Sequence, residues 1–194
     1  DTQKEIYYIS AETSAQALAS PHLEGFKSKN IPVLIMTDAI DQFWLPMVGS
    51  FKEKKFTSIT QGRINLDELD SKNKDKKNKS NDVKDKLDKE FVDLIAQLKV
   101  VLGDQVKDIR LSSKLTDSPV CLVADEGDMD IAMEQLMAQR DSNYKGAPRI
   151  LEINGDHSLI KNMKSLLSKK ESNDLVSDAG TLLFEQARLM EGKM

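Results

Sequence analysis

Apolar positions along this chain change their period several times, and each change marks an element. Ile6-Tyr7-Tyr8-Ile9 is a short β-branched and aromatic run and predicts a strand. Thr13 is a natural N-cap for a helix expected to reach about Lys29, and Pro21 interrupts it. Ser20-Pro21 therefore ends one short helix and starts a second. Val33-Leu34-Ile35-Met36 is wholly apolar, as in a strand buried on both faces. Asp38 or Asp41 is expected to cap a short helix carrying Phe43, Trp44 and Met47. Phe56-Thr57-Ser58-Ile59-Thr60 predicts a third strand. This alternation predicts a small α/β unit with at least one strand–helix–strand crossover.

The pattern then lapses. Leu66 to Lys89 is dominated by Lys, Asp and Asn, and Ser71 to Ser80 has no apolar residue at all. Such a stretch buries too little surface to offset its ordering entropy, so it reads as a solvated linker. A helix is expected to firm up near Val83 or Leu87. A basic nucleic-acid arm is disfavoured because Asp70, Asp75, Asp82 and Asp85 interleave with the lysines.

Helical spacing resumes with Phe91, Leu94, Ile95, Leu98 and Val101 or Leu102, and Gly103 suits the position after the helix. Val106 to Ser112 alternates like a half-buried strand. Val120 to Ala124 and Arg149 to Ile153 are two further strands. Helices are expected from about His157 to Lys170, with Asp156 as N-cap, and from about Leu175 to Met190. Between the strands lies a methionine stripe. Met129, Met133 and Met137 recur every four residues, and Ala132 and Leu136 fall on the same side, after Asp128 as a plausible cap. Such a face suits a core, or an exposed apolar surface that adapts to many partners. The expected class is α/β (α+β). Residues 1–66 form a small three-layer α/β unit, residues 67–86 a charged linker, and residues 87–194 a mixed α+β domain.

Composition narrows the function. Aromatics make up only 5% of the 194 residues, which argues against a base-stacking or carbohydrate surface. A net charge of −4 gives no global attraction to nucleic acid or anionic lipid. A single cysteine excludes an intrachain disulfide framework and fits a reducing compartment. No apolar run is long enough to span a bilayer and no secretory signal is recognisable, so a cytoplasmic location is expected. The chain opens at Asp1 almost directly into a strand, as a piece of something longer would.

No catalytic set can be assembled. His22, His157 and Cys121 are scattered and match no metal-ligand spacing, so neither a metal nor a catalytic residue is expected. Cys121 lies in an apolar strand, where a small buried thiol is the ordinary reading. Gly62, Gly103, Gly127 and Gly155 are isolated and form no phosphate loop. Asp125, Glu126 and Asp128 lack calcium-loop spacing. The residues read as a binding or assembly module.

Several segments in order carry a resemblance. Ile6 to Ile9 is followed by Ser20-Pro21-His22-Leu23-Glu24, then by Ile31-Pro32-Val33-Leu34-Ile35-Met36-Thr37-Asp38 with Ile40-Asp41. Val106 to Ser112 runs into Leu115-Thr116-Asp117-Ser118-Pro119-Val120. Leu151-Glu152-Ile153-Asn154 precedes Asp156-His157. Together these resemble the heat-shock protein 90 chaperones over nearly the whole chain except the Lys-rich linker. Gly155 stands where the family usually has proline.

The resemblance implies the end of a middle domain followed by a C-terminal domain of a homodimeric, ATP-dependent chaperone. ATP and magnesium would belong to an N-terminal domain absent here, so this piece is not expected to be an enzyme or to need a cofactor. The partners implied are non-native client proteins. Client contacts carry over to Met129, Met133, Leu136 and Met137, and to the helix with Gln42, Phe43 and Pro46, where Trp44 adjoins. For Phe43 and Trp44 core packing is an equal alternative. The family's dimer bundle carries over to Leu175, Ala179, Leu182, Leu183 and Met190. Its second helix would lie beyond Met194, so a weakened homodimer is expected. The rival reading is a purely structural assembly module with the Met stripe buried.

Overall fold

Alternation with period two turns Tyr7 and Ile9 of β1 (Glu5–Ser10) inward. Thr13 then accepts the Gln16 amide and caps α1 (Ser14–Ala19). Ser20 accepts the His22 amide and opens a 3₁₀ turn, Pro21–Leu23, that runs into α2 (Glu24–Ser28). The chain returns as β2 (Val33–Met36), parallel to β1 with Tyr7 opposite Val33. The computed structural model describes residues 3–66, 77–141, 144, 146–168 and 173–192.

β2 corrects an expectation. It is an outer strand, in the sheet order β2-β1-β4-β3, and Leu34 is 45% exposed. Its apolar run reflects one face only, where Val33 and Ile35 pack on the core of this half. α3 (Asp41–Val48) follows without a side-chain cap. Ile40 holds the cap position, and Asp41 instead accepts the Trp44 indole N–H at 2.7 Å. β3 (Ser50–Phe51) then pairs antiparallel with β4 (Lys54–Ser58), which lies parallel to β1. This hairpin escaped the sequence because its turn places Lys52 and Glu53, not Asn or Gly, at positive φ. Tyr7, Phe26, Ile59 and Leu66 centre the first core, with the Tyr7 and Phe26 rings 5.1 Å apart.

Residues 67–76 of the expected linker lie outside the described residues. From Lys77 the chain is already helical, well before Val83, in α4 (Lys77–Leu102). A helix anchored by Phe91, Leu94 and Leu98 extends cheaply backward through lysine-rich sequence, because propagation costs far less than nucleation. β5 (Val106–Leu111), β6 (Val120–Val123) and β7 (Arg149–Ile153) form a second mixed sheet. β7 is central, parallel to β5 and antiparallel to β6, and all five of its residues are buried. α5 (Ile131–Arg140) precedes β7; α6 (Ser158–Ser168) and α7 (Asn173–Met190) follow it. α4, α6 and α7 build the second core with Phe91, Leu98, Met163, Val176, Leu183 and Phe184. Gly180 lets α7 approach Leu98 of α4 where any Cβ would collide with that side chain. The cap of α6 is His157, whose Nδ1 accepts the Leu159 amide, whereas Asp156 is exposed beside Lys161.

The two sheets meet at a polar junction. The Glu24 carboxylate accepts the amides of Thr116, Asp117 and Ser118 and the Ser118 hydroxyl. Burial works to raise the Glu24 carboxyl, but these donors outweigh it and hold it below the usual range. The Gly25 amide donates to the Lys114 carbonyl at 2.7 Å, and a Cβ at Gly25 would sit only 2.5 Å from that oxygen. The Ala124 amide donates to the Thr60 carbonyl at 2.9 Å, and the Gly62 amide donates to the Ala124 carbonyl at 2.8 Å. Lys114 and Arg110 reach across to the Ile59 and Gly62 carbonyls at 2.8 and 2.7 Å.

Candidate functional site

The methionine helix is built from its cap upward. Asp130 occupies the cap and divides its oxygens. Oδ1 accepts the Ala132 amide at 3.0 Å, and Oδ2 accepts the hydroxyls of Ser58 and Thr60 at the end of β4. Asp128, the expected cap, instead pairs with Lys107 at 3.0 Å, because the helix begins only at Ile131. Two residues of α5 are buried, Ile131 and Glu134. The Glu134 carboxylate meets the Arg149 guanidinium, both side chains being almost wholly buried, and Arg149 also donates to the Met129 carbonyl at 2.7 Å. Burial pulls the Arg149 guanidinium down from its ordinary value, while Asp130 and Asp128 work to sustain its charge. Gln135 donates to the Glu191 carbonyl, and Gln139 to Glu12 at 3.3 Å.

With Ile131 and Glu134 turned inward, helical geometry sends Met133, Leu136 and Met137 to the other side. Met129 is 40% and Met137 38% exposed, and Met133 and Leu136 are half-buried. The stripe is neither core nor fully open; it is a half-exposed apolar strip on an anchored helix.

In the first half, Phe43 is exposed on α3, while Trp44 is half-buried and packs edge-on against Phe56 at 5.9 Å. Trp44 thus packs, and Phe43 joins a patch the sequence reading missed: Ile40, Met47 (85% exposed), Val48 and Phe51. The spacing of Ile40, Phe43 and Met47 at i, i+3 and i+7 was the available signal. Pro46 is exposed in the same helix.

The residues expected on one α7 face separate. Leu183 is buried in the second core and Ala179 packs on it. Leu175, Leu182 (71% exposed) and Met190 face outward, and Leu189 joins them. Leu175, Leu182 and Leu189 fall seven residues apart, so they form one seam. The mixed face arose because α7 both closes the core and keeps an open side.

A buried charge hub underlies the junction. Glu152 on β7 accepts Arg110 Nε and Nη2 at 3.0 and 2.7 Å and Ser112 Oγ at 3.0 Å, with Lys114 Nζ 3.8 Å away. Lys114 is 1% exposed, and sequence reading passed it over. Burial works to raise the Glu152 carboxyl, but Lys114, Arg110 and Ser112 together hold it below the usual range. The Cys121 thiol lies 3.9 Å from Glu152; burial, then that carboxylate, push it well up, which makes it a poor nucleophile. His22 is buried, with Nε2 3.0 Å from the Glu191 carboxylate. Among the described residues no three His, Cys, Asp or Glu side chains converge to hold a metal ion. No described helix is long and apolar enough to cross a membrane.

Known proteins resemble this chain in sequence. The family described as Hsp90 protein matches residues 1–194. The chaperone protein HtpG of Roseobacter denitrificans is 40% identical over 98% of this chain and 30% of its own length. HtpG of Wolbachia pipientis is 39% identical over 98% of this chain and 30% of its own. HtpG of Streptomyces coelicolor is 34% identical over 98% and 29%. The chain therefore spans about 30% of the length of these relatives. With a match along its whole length, the chain belongs to the Hsp90 protein family.

Proposed function

We propose that this chain is the client-holding part of an ATP-dependent chaperone, comprising the end of a middle domain and most of a C-terminal domain. The observation that carries this is the methionine strip of α5, apolar and half-exposed on a helix held by Asp130 and the Arg149–Glu134 pair. An anchored helix keeps the strip presented, and flexible thioethers adapt to varied apolar segments. Covering the remaining surface of each side chain is worth on the order of 1 kcal/mol, so capture is weak and broad. Phe43 with Ile40 and Met47 offers a second contact. On this reading ATP chemistry is supplied from outside residues 1–194.

The test is aggregation of a thermally unfolding reporter enzyme, followed by light scattering. Met133→Glu with Met137→Glu is expected to weaken protection several-fold while leaving the helical signal and melting temperature unchanged. Unchanged protection would overturn the assignment.

The α7 seam favours homodimerisation as a second role. Leu182→Glu is expected to lower the solution mass toward that of one chain by light scattering; an unaltered mass would exclude this seam as the interface.

A further inference from the structure

We propose that the outer edge of β2 takes up one extended, apolar segment of a non-native polypeptide as an added strand. The inference rests on the chaperone reading above and names a second, backbone-directed mode of capture.

Register defines which backbone groups are free. The Met36 carbonyl accepts the Ala11 amide at 3.0 Å, so Met36 faces β1. In a strand, successive residues point their backbone groups to opposite sides, so Leu34 also faces β1. The N–H and C=O groups of Val33 and Ile35 then point away from the sheet, along an edge that no described strand pairs with. These donors and acceptors are spaced to match an extended chain.

β2 is short, four residues entered from Pro32, and its edge lacks the other usual defences. Residues 33–36 contain no charge and no proline, and the β1–β2 register shows no bulge. Leu34 is exposed on the side away from the core and would meet the side chains of an incoming strand. The occupant is apolar for a further reason. β2 leads within four residues to exposed Ile40, and from there to Phe43 and Met47. These residues add exposed apolar positions to the half of the chain that carries β2.

The probe is a fluorescein-labelled heptapeptide alternating valine and threonine, added to the full chain. Amide exchange by NMR is expected to show Val33 and Ile35 exchanging freely alone and at least tenfold more slowly with peptide, while Leu34 and Met36 are protected throughout. N-methylation of every second peptide amide leaves one edge open and should change affinity less than about twofold. Methylation of every amide should abolish binding. Leu34→Lys, an exposed change, should weaken binding about tenfold without altering the fold. Binding with no new protection at Val33 and Ile35, or indifference to full methylation, would overturn the proposal. So would loss of peptide binding in the Met133→Glu, Met137→Glu chain, which would place the peptide on α5 and leave the chaperone reading intact. Protection that rises with protein concentration alone would instead show two copies pairing edge to edge, and would also overturn it.

Discussion

Glu152→Ala is expected to lower the stability of the folded chain by about 3–5 kcal/mol, since it removes the one anion from a buried charge cluster. For a chain of this size that corresponds to a melting temperature lower by roughly 10 °C. The reason is asymmetry. Lys114 is almost completely buried and Arg110 half-buried, and both point at Glu152. Without the carboxylate, two cations remain in a poorly solvated site, and the Ser112 hydroxyl loses its acceptor. The damage should reach the junction, because the same cations hold the Ile59 and Gly62 carbonyls of the first half. Glu152→Gln keeps an acceptor and should fall between wild type and alanine.

The pH dependence follows from the sign. The folded Glu152 carboxyl lies below its ordinary value of 4.5, so the charged form is favoured by folding. Its contribution is complete above that value and is lost as pH falls through the folded one. Acid unfolding of Glu152→Gln should therefore begin from lower stability and show a shallower limb. A loss under about 1 kcal/mol in Glu152→Ala would mean that Lys114 finds another partner, and the hub would be disproved.

The second large effect falls on the methionine helix. Glu134→Ala strands the Arg149 guanidinium in a site where both partners are buried, again at about 3–5 kcal/mol. Here the loss has a local signature. Ile131 alone would hold the inward face of α5, so amides across Ile131–Arg140 should exchange far faster while those of β7 stay slow. The double change Glu134→Leu with Arg149→Met replaces the pair by apolar groups of similar bulk and should recover most of the stability. Recovery of stability with no recovery of protection in the aggregation assay would show that the ion pair sets the pose of the helix. Equal losses in the double and single variants would show that Arg149 serves β7 rather than α5.

Much of this fold was legible in the chain because its strands are short and its caps local. β2 and β7 fall where apolar runs predict them, and Thr13, Ser20 and Gly103 punctuate as expected. The larger failures share a cause, namely partners distant in sequence. That β2 is an edge depends on where β4 inserts, which no local pattern encodes. Lys114 looks like a surface lysine until Ile59 and Glu152 are placed around it. His22 gives no hint of Glu191, which lies 169 residues away. The methionine strip was visible as a stripe, but its half-exposed state depends on Glu134 being pulled inward by Arg149, an acidic residue where the period alone would place solvent. In α7 the apolar period was read correctly as wide, yet only the packing of Leu183 on the core divides it from the Leu175, Leu182 and Leu189 seam.

Glu24 has a consequence for how the chain acquires its shape during synthesis. Its carboxylate organises the turn at Thr116–Ser118 from 92 to 94 residues upstream. A ribosome releases residues in order, and early segments fold first. The α2 acceptor is thus already in place when the Thr-Asp-Ser turn emerges, and it acts as a template for a loop that lacks donors' partners of its own. A second half produced in isolation would have to close that turn without it, so its folding should slow when the first half is removed and recover when the two are supplied together.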